Sequence, residues 1–488
     1  MEQYFNKFRE GIIGIDQEME GIGGKKMPIL YADWTASGRN YLPIEKRFQE
    51  ILMPFVANTH TETSTTGTAM TYAYHEAQKL IKKHVNASKD DVIICAGSGM
   101  TAMINKFQRI LELKGSVQFD NPNDKPVVFI THMEHHSNQT SWLETCVETV
   151  IIPPNEVGLV DLDAFKQLIE KYKSRKTKIA SVTACSNVTG IQTPYHEIAK
   201  LIHDAGGYCF VDFACSAPYV NIDMHPEEEG AHLDAIMFSP HKFLGGPGSS
   251  GVLIFNNQLY NRSVPDHPGG GTVDWTNPWG VHKYIDDIEA REDGGTPGFL
   301  QTMKTAMSIT LKEEMGVENM LKREEELLEI LFDKLESQDN IHILAGQHKD
   351  RLGVVSFYID DLHYNVGVRL LNDHYGIQSR GGCSCAGTYG HYLLNVDQER
   401  SDRIVEQIKA GNFSEKIGWI RVSIHPTLTN EEVEYIGNCI IELAKNHRSM
   451  QSGYDSKASC GSIEHDQEDL DKAVKAKMLN ALTSPFTK

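Results

Sequence analysis

The stretch from Val92 to Phe255 constrains the fold more than any other part of the chain. It places short apolar runs at intervals: Val92–Cys95, Val127–Ile130, Ile179–Val182, Tyr208–Val211, Ala235–Phe238 and Val252–Phe255. These runs are rich in β-branched residues and do not alternate with polar ones. A half-exposed strand shows a period of two, whereas an unbroken apolar run marks a strand covered on both faces. Helical patterns fill the intervals. In the clearest, Thr193 is expected to cap and Pro194 to open the helix, Ile198, Leu201, Ile202 and Ala205 recur at helical spacing, and Gly206-Gly207 ends it. Strand–helix–strand repetition predicts an α/β fold, with a mostly parallel sheet sandwiched between helices. Such sheets bind ligands beyond the C-terminal ends of their strands.

Beyond residue 300 the pattern changes. A charged helix is predicted over Val317–Leu335, with strands at Ile341–Leu344, Val354–Phe357 and Trp419–Ile424. Thr429 and Glu432 have capping-box spacing ahead of Val433, Ile436 and Ile440. The expected division is an N-terminal segment 1–30, a large α/β domain 31–300, a smaller α+β domain 301–447 and a polar tail 448–488. In the tail, Gln451–Gln467 is expected to be flexible. Leu470, Val474, Met478 and Leu482 are spaced for a short helix that docks on the body or on a partner. The sequence shows no internal repeat.

Composition excludes several classes. The net charge of −19 argues against nucleic acid as a partner, because counterion displacement needs a basic face. Neither a signal-peptide core nor a bilayer-length apolar stretch is visible. Nine cysteines, an odd and scattered set, fit a reducing cytoplasm better than a disulfide framework. No metal site is expected, since His135-His136 lacks a third ligand at suitable spacing and Cys383/Cys385 lacks a second pair.

The polar residues worth attention come just after the apolar runs. Lys242 lies in Ser239-Pro240-His241-Lys242, ahead of Gly245-Gly246, and Asp212 ends the run Tyr208–Val211. A lone lysine is ordinarily solvated, and an acid after a strand is ordinarily a turn or cap. Together they supply an amine able to attack a carbonyl and an acid able to hold a pyridinium, the two needs of pyridoxal 5'-phosphate (PLP). Gly99-Met100-Thr101 opens a helix after a strand, which is either punctuation or an anion cradle. His135, in Glu134-His135-His136-Ser137-Asn138, is a capping imidazole or a stacking one. Asn187 is a turn residue or an amide beside a ring. Arg421 is a structural ion pair or a carboxylate clamp. In Arg380-Gly381-Gly382-Cys383-Ser384-Cys385 the arginine precedes two thiols in a small-residue loop, a setting that favours reactivity.

These motifs, in this order, resemble the class V aminotransferase-like PLP enzymes, and within them the cysteine desulfurase and selenocysteine lyase group. The resemblance covers residues 28–445. It implies a PLP-dependent transferase fold of the aspartate aminotransferase-like type (fold type I). Lys242 would be the Schiff-base lysine, Asp212 the pyridinium partner and His135 the ring-stacking residue and proton shuttle. Gly99, Met100, Thr101, Ser239 and His241 would hold the phosphate, and Asn187 would lie beside the ring. Ala36, in Asp33-Trp34-Thr35-Ala36, would lie near the substrate, with Arg421 on its carboxylate. Arg380 and Asn187 would also bind the substrate, and Arg380 would open the loop whose Cys385 carries a persulfide. Thr296, in Gly295-Thr296-Pro297, would reach the neighbouring subunit's phosphate, implying a homodimer. The implied activity removes sulfur or selenium from L-cysteine or selenocysteine to give alanine, with a sulfur-acceptor protein as partner. Amino transfer, epimerisation or kynureninase-like cleavage on the same fold would leave Cys385 unused. The chain departs from the group in three places. Cys215 replaces the glutamine that bonds the cofactor's phenolic oxygen, Cys383 is an additional thiol, and Asp274–Trp279 is an aromatic insertion expected to narrow substrate choice.

Overall fold

The computed structural model describes residues 1–115, 117–451, 454 and 471–486. Its central sheet has seven strands in the order Asp91–Ala96, Gly251–Asn256, Ala235–Phe238, Tyr208–Asp212, Lys178–Thr183, Val127–Thr131 and Glu148–Ile152. Gly251–Asn256 is antiparallel to both its neighbours, and the remaining pairs are parallel. The six apolar runs are all strands. Glu148–Ile152 is the additional one, an edge strand whose first four residues are only half buried, so it lacks the buried-strand pattern.

Both faces of the sheet are packed. Phe107, from the helix Met100–Ile110, sits 5.0 Å from the Phe210 ring and 5.1 Å from Phe255. On the opposite face Phe129 meets Phe165 edge-on at 5.4 Å. Each fully buried phenylalanine contributes roughly 1.5–3 kcal/mol of transfer free energy. The helix Tyr195–Asp204 begins one residue later than its spacing suggests. Pro194, at ψ 64°, is its N-cap, and Thr193 Oγ1 is buried without a partner instead of capping.

The second sheet is antiparallel, in the order Ile341–Ile343, Val354–Ile359, Trp419–Ser423 and Arg380–Gly382. Val317–Glu336 and Asn430–Met450 cover it, the latter opened by the Thr429/Glu432 capping box. The helix Phe299–Met315 spans residue 300 and packs Met303, Ile309 and Met315 into the core of the large sheet.

One N-terminal segment crosses both bodies. Leu30–Tyr31 pairs in parallel with Ile377–Gln378, beside the small domain. A few residues on, the Gly38 N–H donates to the His241 carbonyl at 2.9 Å, and the Gly245 N–H donates to Arg39 O at 2.7 Å. A side chain at Gly38 would place its Cβ 1.9 Å from Phe243 O, so glycine is required there.

In the tail, Lys472–Thr483 is helical, with Val474, Met478 and Leu482 exposed and not docked on the body. Asp471 just before it pairs with Arg369 at 2.9 Å. Leu470 and most of Gln451–Gln467 lie outside the described residues. Among the described residues no helix is long and apolar enough to cross a membrane.

Candidate functional site

A cavity of about 220 Å³ opens beyond the ends of Lys178–Thr183 and Tyr208–Asp212, as expected for an α/β sheet. It gathers residues scattered along the chain: Ala36, Met100, Thr101, His135, Asn187, Asp212, Cys215, Ser239, His241, Lys242, Arg380, Cys385 and Arg421. An adjoining, larger cavity shares Met100, Thr101, Ser239 and His241, and is lined further by Gly99 and Thr296. Thr296 therefore lies outside the Lys242 cavity of its own chain, where it hydrogen-bonds Asn58 at 3.3 Å. The aromatic insertion forms the hairpin Val273–Thr276/His282–Tyr284. Trp275 and Trp279 are exposed there, and neither lines the Lys242 cavity.

Lys242 sits in a tight turn, Pro240–Lys242, directly after the strand Ala235–Phe238. Burial lowers its pKa, and Arg421 and Arg380 push the same way against Cys215 and Asp212. Burial lifts Asp212 to about 6, although the Ala214 N–H donates to its Oδ1 at 2.8 Å and Lys242 favours its charge. Both groups are thus held away from their usual charged forms and have little to offset desolvation.

His135 begins the helix His136–Leu143. Its Nδ1 accepts from the Ser137 N–H at 3.1 Å, so the neutral ring carries its proton on Nε2. Burial, then Lys242, His136 and the two arginines lower it to about 3, which keeps the ring neutral. Burial and Lys242 likewise bring His241 to about 4.

At the anion cradle the Met100 N–H donates to Ser239 Oγ at 2.8 Å, where the helix Met100–Ile110 begins. A Cβ on Gly99 would come 2.8 Å from that same oxygen, so the close approach demands glycine. Thr101 Oγ1 meets Ser137 Oγ at 2.6 Å, joining the cradle to the His135 turn.

Asp33 joins the group around Arg421. Arg421 is buried; its Nη1 donates to Asn187 O at 3.0 Å and its Nη2 to Asp33 Oδ1 at 2.7 Å. Arg380 reaches the other oxygen of the same acid, Nε to Oδ2 at 3.1 Å. The Arg380 guanidinium is thus paired with Asp33. The motif around Ala36 contains Asp33, two residues beyond the strand Leu30–Tyr31.

The thiol loop is pinned from several sides. Asn187 Nδ2 donates to Ser384 O at 2.6 Å, Trp419 Nε1 to Ser384 Oγ at 3.1 Å, and the His136 N–H to Cys385 O at 2.7 Å. The Gly387 N–H donates to His136 Nε2 at 3.0 Å. Ser384 (φ 50°) and Cys385 (φ 56°) are consecutive non-glycine residues in the left-handed region, a strain these bonds must offset. Cys385 is exposed toward the cavity, whereas Cys383 is half buried against the core. Asn187 Oδ1 is buried without a partner.

Cys215 lies on the cavity floor beside Cys185. Both thiols reach the Ser186 carbonyl, at 3.7 and 3.6 Å. The neighbouring Cys185 thiol lowers the Cys215 pKa against burial, with help from Lys242 and Arg421. Behind the site, Glu134 accepts from the Thr131 N–H (3.1 Å), Thr131 Oγ1 (2.7 Å), the Thr183 N–H (2.9 Å) and Asn138 Nδ2 (2.8 Å). Burial raises it to about 7. Glu134 ties together the ends of two strands that deliver site residues, a structural role hidden in the motif containing His135.

Among the described residues one group offers three ligand-type side chains, His203, His232 and Asp234. The two rings stack at 4.0 Å and 9°, and nitrogen lone pairs lying in two near-parallel planes do not converge on one ion. His203 directs Nδ1 at Gly230 O (2.6 Å) and Nε2 at Asp234 (2.8 Å), the arrangement of an ion pair.

Comparison with known proteins agrees with this architecture. The chain is 29% identical over 376 residues to a protein of Halalkalibacterium halodurans named "Probable cysteine desulfurase", covering 76% of this chain and 86% of the relative. It is 26% identical over 404 residues to a "Cysteine desulfurase" of Haloferax volcanii, covering 78% and 89%. An Escherichia coli cysteine desulfurase crystal structure superposes with a TM-score of 0.70 at 21% identity, over 90% of this chain and 98% of that one. An apo cysteine desulfurase from Thermococcus onnurineus NA1 gives 0.69 at 22%, over 86% and 95%. At these identities the structures show a shared fold. The profile of the family Aminotransferase class-V matches residues 30–436, and the chain belongs to that family.

Proposed function

We propose that the chain holds PLP through Lys242 and moves the sulfur of L-cysteine onto Cys385, releasing alanine. Three features fit the cofactor: a buried acid with no cation beyond Lys242, a glycine-lined anion cradle, and the orphaned Asn187 Oδ1. Lys242 would carry the cofactor, Asp212 would hold its ring nitrogen, and Met100, Thr101, Ser239 and His241 would face its phosphate. Bound there, PLP supplies an electron sink for charge developed at the substrate Cα.

The protein's own groups do the rest. Arg421 binds the substrate carboxylate. Lys242, whose pKa is lowered by burial, removes and returns the Cα proton at Nζ. His135 presents its Nε2–H to the site as a proton donor. The Cys385 thiolate attacks the substrate sulfur. A sulfur–sulfur bond forms, the Cβ–S bond breaks, and Cβ takes a proton, so cysteine plus thiol gives alanine plus persulfide. The observation that carries this reading is the placement of Cys385 at the cavity of Lys242, on a loop pinned by Asn187 and His136. The curated relatives named above bear the same activity in their names. By the same resemblance, the protein works as a homodimer in which Thr296 approaches the partner's phosphate. The sulfur would then pass to an acceptor protein, and selenocysteine would be an alternative substrate.

The test is product analysis with PLP-loaded protein. Wild type should yield alanine and persulfide from L-cysteine, and Cys385→Ser should lose sulfur transfer. Equal turnover by both proteins would instead favour an aminotransferase, epimerase or kynureninase-like lyase. Borohydride fixation of added PLP, read by peptide mass, should mark Lys242. A mark elsewhere, or none, would refute the lysine assignment.

A further inference from the structure

We propose that Cys185 and Cys215 form a reactive dithiol in the wall of the Lys242 cavity, a modification site that small disulfides convert to a Cys185–Cys215 bond. Both residues line that cavity. Their thiols donate to one oxygen, Ser186 O, at 3.6 and 3.7 Å, so the two sulfurs are close neighbours. The sheet brings them together. Thr183 pairs with Asp212 on adjacent parallel strands, and the Ala184 N–H donates to Asp212 O at 2.9 Å. Cys185 follows the end of the first strand and Cys215 the end of the second. A disulfide needs close backbones and converging sulfurs, which adjoining strand ends and a shared acceptor favour. Ser186 O also accepts from the Gly190 N–H at 2.9 Å, so it keeps a partner once the thiols are oxidised. Cys383 and Cys385 do not converge in this way, since Cys385 faces the cavity and Cys383 packs against the core.

The two thiols differ in a way that sets the order of events. Cys215 is 6% exposed and Cys185 1%, so a reagent in the cavity meets Cys215 first. The Cys185 thiol, then Lys242 and Arg421, favour the Cys215 thiolate, whereas burial and Cys215 disfavour that of Cys185. The thiolate is the attacking form. Cys215 therefore attacks one sulfur of the small disulfide; a mixed disulfide forms and the other half leaves as thiolate. Cys185 then attacks the Cys215 sulfur and expels the second half. Two protein thiols become one disulfide, the small disulfide becomes two thiols, and the two thiol protons end on the leaving halves. The bond ties the turn that carries Asn187 to the turn that follows Asp212, so oxidation acts on two residues of the site at once.

In the experiment, full-length protein is reduced, freed of reductant and treated with hydroxyethyl disulfide. Remaining thiols are blocked with N-ethylmaleimide and the peptides are mapped by mass. Wild type should show the Cys185 and Cys215 peptides joined, with the loss of two hydrogens. Cys185→Ala should stop at Cys215 carrying one mercaptoethanol group, and Cys215→Ala should leave Cys185 unmodified. Both thiols free in wild type, a Cys215–Cys385 or Cys383–Cys385 bond in place of this one, or modified Cys185 in Cys215→Ala overturns the proposal. The wild-type map decides the matter even where a variant fails to fold. Loading with PLP, checked by borohydride fixation at Lys242, should slow the linkage several-fold, because the reagent enters through the same cavity. An equal rate in fixed protein overturns that route. This last comparison rests on the reading of Lys242 as the PLP lysine, whereas the linkage does not, so absence of fixation would count against the proposed function alone.

Discussion

Replacing Asp212 by Asn should stabilise the cofactor-free protein at neutral pH. Asp212 is 3% exposed, and its burial is offset only by the Ala214 N–H and by Lys242. Its pKa rises from 3.8 to about 6 on folding. Between those values the folded chain holds a proton that the unfolded chain has released, so stability falls as pH rises through the window. The full displacement corresponds to about 3 kcal/mol at pH 7, and Asn removes it while keeping an oxygen for the Ala214 N–H. The unpaired Asn amide hydrogens cost about 1 kcal/mol or more, so a net gain of about 1–2 kcal/mol is expected. Urea unfolding of both apo proteins at pH 4 and pH 7 measures it. The variant's advantage should appear at pH 7 and vanish or reverse at pH 4. Equal differences at the two pH values would refute the reasoning. Adding PLP should stabilise wild type more than the variant, because only the acid pairs with a ring cation.

Two further outcomes follow from the same geometry. Glu134→Ala leaves the Thr131 and Thr183 N–H groups without their acceptor and the Asn138 amide with Ser181 O alone. About 3–5 kcal/mol should be lost in urea unfolding, and Glu134→Gln should lose far less. Asn187→Ala removes the donor on Ser384 O from a loop that carries two left-handed residues, each strained by about 1–2 kcal/mol. Amide hydrogen exchange over residues 383–387 should accelerate about tenfold, and unchanged exchange would show that the loop is held by other means.

The buried strands, the order of the motifs and the convergence of Lys242, Asp212, His135, Asn187, Arg421 and Cys385 were legible because each follows a recognisable apolar run or turn. What sequence could not supply is long-range pairing. Asp33 and Arg380 are separated by 347 positions and meet only because the N-terminal segment returns to the small sheet. Glu134 was visible, yet its four donors come from two strands and a helix, and no local pattern announces such a network. The strand Glu148–Ile152 escaped because an edge strand needs no continuous apolar run. Thr193 misled because proline at the cap position displaced the expected hydroxyl.

The segment that runs from Leu30 to Arg39 is anchored at one end to the strand Ile377–Gln378 and at the other to the turn bearing Lys242. It therefore works as a drawstring. Any displacement of the C-terminal body would pull on the turn that bears Lys242, so the position of that lysine and the spacing of the two bodies are mechanically linked.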